Sequence, residues 1–161
     1  MAKQLLVEHG WQTNKCLPCS WQQNGRSRVS QVEGGWRQIV TGQAGRLAVE
    51  AWGLKNYTQK EEYFSKILTT ILVPPYIDSS EIVRRAWKRY NLSLGLGLNK
   101  VAGKVFRIGH LGNLNEVQLL GCLAGVEMIL KDVGYPVKLG SGVAAASAYL
   151  QNNIPMIPSR I

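Results

Sequence analysis

The chain has 161 residues, of which 45% are hydrophobic and 18% are charged, and its formal net charge at pH 7 is +9. This length fits one compact domain more readily than two, and the composition excludes a disordered or collagen-like chain. The excess of Lys and Arg suits acidic partners or anionic substrates, but it does not predict the fold.

Neither membrane insertion nor secretion is expected. The longest apolar run, residues 119–126, ends at Glu127 and is far shorter than the roughly 18 residues that a membrane helix needs. The first residues contain no long apolar segment of the kind found in a signal peptide. Three cysteines, an odd number, suit a reducing compartment better than a disulfide scaffold. These features predict a soluble intracellular protein.

The N-terminal part of the chain is poorly patterned. Residues 1–43 show neither a helical period nor strand alternation, so we assign them to no domain, with disorder as one alternative. The folded unit is predicted to comprise residues 44–161. Its first helix is predicted from Gln43 to Trp52, and Gly53 is a suitable C-terminal cap.

Strands and helices alternate in the rest of the chain. A β-branched run that ends at Pro74 predicts the first strand, and Asp78 and Asn115 are suitable N-terminal caps for two helices. The predicted elements are a strand at 67–73, a helix at 78–90, strands at 92–98 and 104–110, and helices at 115–133 and 141–151. This order predicts an α+β fold, a small two-layer domain in which helices cover a short, mainly antiparallel sheet.

The helical wheels predict which side chains are buried. In the helix at 78–90 the wheel places Trp87 and Tyr90 on the buried arc, and in the helix at 115–133 it leaves Glu127 outside the apolar stripe. The arc opposite Trp87 is basic and consists of Arg84, Arg85, Lys88 and Arg89. Basic stretches with interleaved aromatic residues occur in nucleic-acid-binding proteins. Because buried aromatic rings cannot stack on bases, a solvated basic face is the default interpretation and nucleic acid is not an expected partner.

Arg107 is the strongest candidate for a binding residue. It lies in the middle of the strand at 104–110 and shares a face with Val105 and Gly109. A guanidinium beside an apolar residue is costly unless an anion meets it, and its two parallel donors suit a carboxylate. Gly109 leaves room for a ligand. The alternative, an arginine on a solvated sheet face or in a structural ion pair, remains open and is the more common case.

The cysteines and histidines predict no metal or redox site. Cys16 and Cys19 have C-x-x-C spacing, but the strand and helix that a redox motif needs are not visible around them. A zinc site needs four ligands, and His9 is the only other candidate nearby, since His110 and Cys122 lie far away in the chain. Cys122 falls within an apolar stripe, which is typical of a core residue.

The last three residues have the form of a targeting signal. Ser159, Arg160 and Ile161 match the small, basic and aliphatic pattern of the peroxisomal address Ser-Lys-Leu. Pro155 and Pro158 would keep this tail out of the preceding helix. We therefore expect a peroxisomal location and a peroxisomal import receptor as a partner.

Several stretches of the chain resemble class V pyridoxal-phosphate-dependent aminotransferases, and most closely the plant peroxisomal serine–glyoxylate (alanine–glyoxylate) group. They are residues 46–56, 73–78, 81–99 and 105–113, and the likeness continues from 119 to 161. The resemblance therefore covers residues 44–161 almost without a break.

The resemblance implies the C-terminal small domain of a fold-type I aminotransferase that acts as a homodimer in photorespiration. It implies transfer of an amino group from serine or alanine to glyoxylate, with pyridoxal phosphate as cofactor and with amino-acid and 2-oxo-acid substrates. It also implies that Arg107, in the Phe-Arg-Ile-Gly motif, binds the α-carboxylate of the substrate.

The resemblance also implies what this sequence lacks. In the family, the large domain supplies the Schiff-base lysine and the other groups that hold the cofactor. No such motif occurs here, because Gln59-Lys60 lies in the part that resembles the small domain. We therefore expect no catalytic residue, no covalently bound cofactor and no activity of this chain alone. The alternative is a non-catalytic module that docks on a full-length aminotransferase subunit or binds nucleic acid through its basic helix face.

Overall fold

The structure is a computed structural model of the chain, and it describes residues 31–112 and 114–154. The elements are α1 (Gln31–Ala51), β1 (Lys55–Asn56), β2 (Leu68–Leu72), α2 (Ser79–Tyr90), β3 (Gly95–Leu96), β4 (Val105–Gly109), α3 (Glu116–Asp132) and α4 (Ser141–Asn153). Short 3₁₀ turns lie at Glu61–Tyr63 and Asn99–Val101. Every predicted strand and helix is present in the predicted order, and β1 is an additional short strand.

One antiparallel sheet carries all four of these strands, in the order β1–β2–β4–β3. The central strands β2 and β4 pair along their whole length, from Leu68 opposite Gly109 to Leu72 opposite Val105. Ile71, Phe106 and Ile108 alternate with these residues and are buried in the core. The predicted α+β architecture is therefore confirmed.

The helices close the core over one face of the sheet. Helix α1 packs along α4, α3 contacts both α4 and α2, and α1 and α2 also contact the sheet. The fully buried apolar side chains of α2 and α3 are Ile82, Ala86, Leu119, Leu123, Val126, Ile129 and Leu130. Burial of each large apolar side chain contributes about 1.5–3 kcal/mol, so this interface stabilises much of the fold.

Helix α1 differs from its prediction because it begins at Gln31 and not at Gln43. The predicted boundary between residues 43 and 44 therefore falls inside a continuous helix. The hydrophobic period that would predict this helix is weak in the sequence because glycines occupy part of the buried face of α1. A Cβ at Gly42 would lie 2.9 Å from the His110 ring, and one at Gly45 would lie 3.4 Å from Thr69 Oγ1. Close packing here requires residues that carry no hydrophobic signal.

Trp87 is a second difference, because its side chain is 51% exposed although the wheel placed it on the buried arc. Within the described part of the chain, the main contacts of helix α2 are with α3, β3 and β4, and its buried stripe is narrow and centres on Ile82 and Ala86. Tyr90 is partly buried as predicted, and its hydroxyl donates to Asp132 Oδ2 at 2.9 Å.

Glu127 is buried, although the wheel placed it outside the apolar stripe of α3. Its carboxylate accepts hydrogen bonds from the Trp52 indole at 2.9 Å and from the backbone N–H groups of Gly142 and Val143 at 2.7 and 3.2 Å. The Gly140 N–H also donates to it. The glycine and valine N–H groups lie at the N-terminus of α4, where a helix leaves N–H groups unpaired and favours negative charge. The carboxylate therefore links α1, α3 and α4.

We expect Glu127→Ala to lower the free energy of unfolding by about 3 kcal/mol, because it leaves several buried donors without an acceptor. Glu127→Gln keeps one acceptor oxygen and should cost less. Urea unfolding followed by circular dichroism measures both. Glu50→Ala, at an exposed position of α1, is the control and should change stability by less than about 0.5 kcal/mol. A Glu127→Ala protein as stable as this control would contradict the prediction.

Candidate functional site

Arg107 projects from the face of the sheet opposite the core. It lies at the centre of β4, opposite Thr70 of β2 and Gly95 of β3. Its chain neighbours Phe106 and Ile108 are buried in the core, so alternation along the strand directs Arg107 to the other face. The arginine side chain is itself half-buried.

The guanidinium of Arg107 has no partner among the residues that the structure describes. Its Nε is buried and makes no hydrogen bond, and no carboxylate in 31–112 or 114–154 lies within ion-pair distance. A buried donor without an acceptor is costly, and no described acidic side chain neutralises the charge of this half-buried guanidinium. Within the described residues, Arg107 therefore forms no structural ion pair.

Two glycines shape the surroundings of Arg107. A Cβ at Gly95 would lie 3.1 Å from Arg107 Cβ and 3.2 Å from its Nε, which is closer than ordinary contact. Glycine there lets β3 pair directly beside the arginine. A Cβ at Gly109 would meet no atom of the described residues within 4 Å.

His110 belongs to the core. It is buried, and its Nε2 lies 3.0 Å from Thr69 Oγ1. Burial, together with the positive charge of Arg46, lowers the pKa of His110 to about 4. The ring is therefore neutral at pH 7. Across residues 31–112 and 114–154, no three His, Cys, Asp or Glu side chains come together as metal ligands.

The remaining sequence candidates contribute no reactive group within the described part of the chain. Burial raises the pKa of the Cys122 thiol to about 11, so it stays protonated, as expected of a core cysteine. His9, Cys16, Cys19 and the targeting tripeptide 159–161 lie outside the described residues. Of the helices that are described, none is long and apolar enough to cross a bilayer.

The described lysines do not have the environment of a cofactor-binding lysine. A lysine that forms a Schiff base is usually desolvated. Lys60, the lysine of the Gln-Lys pair, is exposed and lies 3.7 Å from the Glu62 carboxylate. The other described lysines are exposed as well: Lys55, Lys66, Lys88, Lys100, Lys104, Lys131 and Lys138.

Acidic side chains engage three of the four basic residues on α2. Arg85 and Arg84 both donate to Glu81, at 2.5 and 2.8 Å through their Nε atoms, and these hydrogen bonds lower the pKa of Glu81. Arg89 pairs with Asp132 of α3 at 2.6 Å. Three of the four basic residues are therefore engaged with acids. This arrangement favours a solvated basic face over a nucleic-acid-binding surface.

We expect acid to destabilise the fold through His110. An unfolded histidine has a pKa near 6.5, whereas the folded ring has a pKa of about 4, so the folded state binds fewer protons between these values. Stability present at pH 7 is lost as pH falls from about 6.5 to about 4, by up to about 3 kcal/mol. Urea unfolding at several pH values measures this loss.

The His110→Gln variant should lose this part of the pH dependence, because glutamine does not titrate. Its free energy of unfolding would then change less than that of the wild-type chain between pH 6.5 and 4. An identical slope in the two proteins would show that other groups cause the acid destabilisation.

Comparisons with known proteins find close relatives. No protein-family model matches the chain. It is 82% identical over 125 residues to serine–glyoxylate aminotransferase of Arabidopsis thaliana, a match that covers 78% of this chain and 31% of the relative. It is 56% identical over 117 residues to the enzyme of that name from Methylorubrum extorquens, covering 73% and 29%.

A solved structure has the same fold. The pyridoxamine–pyruvate aminotransferase of Mesorhizobium loti matches with a TM-score of 0.69 and 25% identity, covering 73% of this chain and 30% of that one. The chain therefore spans about 30% of the length of the proteins that it matches.

Proposed function

This chain belongs to the class V aminotransferase family, and we propose that it is the small-domain part of a transaminase that moves an amino group from serine or alanine to glyoxylate. The observation that carries the proposal is that the Arg107 guanidinium has no partner among residues 31–112 and 114–154, none of which would lie within 4 Å of a Cβ at Gly109 beside it. We propose that this transaminase acts in photorespiration, with serine or alanine as its amino donor.

Arg107 is proposed to bind the α-carboxylate of each substrate. Serine, alanine and glyoxylate all carry a carboxylate next to the reacting carbon, so one guanidinium can serve both halves of the reaction. Two parallel N–H donors fix the plane of a carboxylate as well as its position. A carboxylate held in this way orients the reacting carbon, which is the contribution that Arg107 makes to catalysis.

The family implies pyridoxal phosphate as cofactor, and the described residues do not fit its covalent attachment. All their lysines are exposed, including Lys60 in the Gln-Lys pair. We propose that the large domain that the resemblance implies holds the cofactor, and that residues 31–154 contribute only substrate binding. The 161-residue chain alone is then inactive.

Exposed apolar side chains support a place within a larger assembly. Tyr76, Leu98, Leu111 and Val117 are 63–76% exposed, so a further protein surface could bury them. A large domain, the partner of a homodimer or a full-length subunit would provide such a surface. These side chains fit the catalytic assembly and the docking alternative equally, so only an activity measurement separates the two.

The test is a chimaera in which residues 31–161 replace the matching part of the Arabidopsis serine–glyoxylate aminotransferase. We expect this chimaera to be active, and Arg107→Gln to lower its kcat/KM for serine by about 100-fold, because two charge-assisted hydrogen bonds to the carboxylate are lost. Hydroxypyruvate formation measures the rate.

Two controls accompany the chimaera. Arg84→Gln removes an exposed arginine that pairs with Glu81 and should leave kcat/KM unchanged within twofold. The 161-residue chain alone, mixed with pyridoxal phosphate, serine and glyoxylate, should form neither hydroxypyruvate nor a lysine aldimine absorbance. An inactive wild-type chimaera, or normal kcat/KM after Arg107→Gln, would contradict the proposed function.

We also propose a peroxisomal location, supported by the sequence of Ser159, Arg160 and Ile161 when they stand at a free carboxyl terminus. An N-terminal fluorescent fusion expressed in plant cells should co-localise with a peroxisomal marker. Removal of the three residues should leave it in the cytosol, because the import receptor reads this terminus. Peroxisomal fluorescence without them would contradict the assignment.

A further inference from the structure

A cleft separate from the Arg107 side chain lies between helix α1 and the loop that joins β1 to β2. It is small and partly open to solvent, with an interior volume of about 50 Å³, so it could hold only a small ligand. Its wall is mainly polar and includes Arg46, Asn56, Thr58 and Ser65, together with the rings of Tyr63 and Phe64.

Arg46 supplies the cleft with a positive charge that has little compensation. Its guanidinium lies 4.5 Å from the Phe64 ring centroid and donates to Gln43 Oε1 at 2.9 and 3.1 Å, so its near partners are neutral. No described carboxylate lies within ion-pair distance of it. Burial lowers the pKa of Arg46 more than the charges of Glu61 and Glu50 raise it. A bound anion would offset this burial cost.

Asn56 adds an acceptor on the same cleft. Its Oδ1 is buried and has no hydrogen-bond donor among the described residues, although a buried carbonyl oxygen is normally paired. It requires a donor, and an anion without hydrogen cannot provide one. The hydroxyl groups of Thr58 and Ser65 can donate or accept, so they restrict the ligand less.

We propose that this cleft binds a small oxyanion that carries its own O–H donor, such as a hydrogen phosphate or a hydroxy acid. Arg46 binds the charged oxygens, and Asn56 Oδ1 accepts the ligand hydroxyl. The loop does not repel an anion, because the charges of Lys60 and Lys66 balance those of Glu61 and Glu62. The site is independent of transamination.

The first test measures binding of inorganic phosphate and of sulfate to the 161-residue chain, by calorimetry at pH 7 and low ionic strength. Phosphate at this pH carries P–OH groups, whereas sulfate has the same shape and no hydroxyl. We expect saturable phosphate binding with a Kd of about 1 mM and at least tenfold weaker sulfate binding. Charge alone would predict no preference for phosphate.

The second test uses three variants that circular dichroism shows to be folded. Arg46→Gln removes the charge, and Asn56→Asp keeps the size of the side chain but places a carboxylate in the cleft. Each should weaken phosphate binding at least tenfold. Arg107→Gln is the matched control and should leave the Kd unchanged within twofold. It is needed because Thr70, which pairs with Arg107 in the sheet, also lines the cleft.

The outcomes separate this proposal from the proposed function. Equal affinity for phosphate and sulfate, an unchanged Kd in Asn56→Asp, or no saturable phosphate binding at 20 mM would overturn it. Loss of binding only in Arg107→Gln would overturn it too, and would place the anion at the proposed substrate site. If Arg46→Gln does not fold, the Asn56→Asp result decides.

Discussion

The fold depends on one buried carboxylate. Glu127 of α3 accepts hydrogen bonds from the indole of Trp52, which directly follows α1, and from the first N–H groups of α4. These hydrogen bonds fix the positions of the three helices relative to one another. Gly142 is part of the same constraint, because a Cβ there would lie 2.2 Å from the Trp52 indole nitrogen. The Tyr135 hydroxyl completes the contact by donating to the Trp52 carbonyl at 3.0 Å. A looser arrangement would remove hydrogen-bond donors from the carboxylate, and each lost donor would make its burial more costly.

This helix layer determines which face of the sheet Arg107 occupies. The helices cover the face with Phe106 and Ile108, and Arg107 lies on the opposite face together with the buried Val105. An arginine covered by helices would need a structural partner. Arg107 lies beside glycine instead, and its Nε has no acceptor among the described residues. The sheet thereby holds a half-buried cation without a described counter-ion.

The arginines of this chain differ in what surrounds them rather than in charge. Those of α2 pair with carboxylates on their own helix or on α3, Arg84 and Arg85 sharing Glu81. Among the described residues, the hydrogen-bond and ring partners of the Arg46 guanidinium are a neutral amide and an aromatic ring. The net charge of the chain is therefore a poor guide to its ligands, and the pairing of each guanidinium is a better one.

Local features of the sequence determined the elements and their ends. Asp78 and Asn115 cap α2 and α3 as predicted, because a cap needs only the next two or three residues. The tertiary structure alone decided the start of α1, the burial of Glu127 and the exposure of Trp87. Each depends on contacts between residues far apart in the chain. Glycines of α1 fit against His110 and Thr69. The Glu127 carboxylate accepts from Trp52, and α2, which carries Trp87, packs against few other elements. Periodicity within one helix contains no information about such partners.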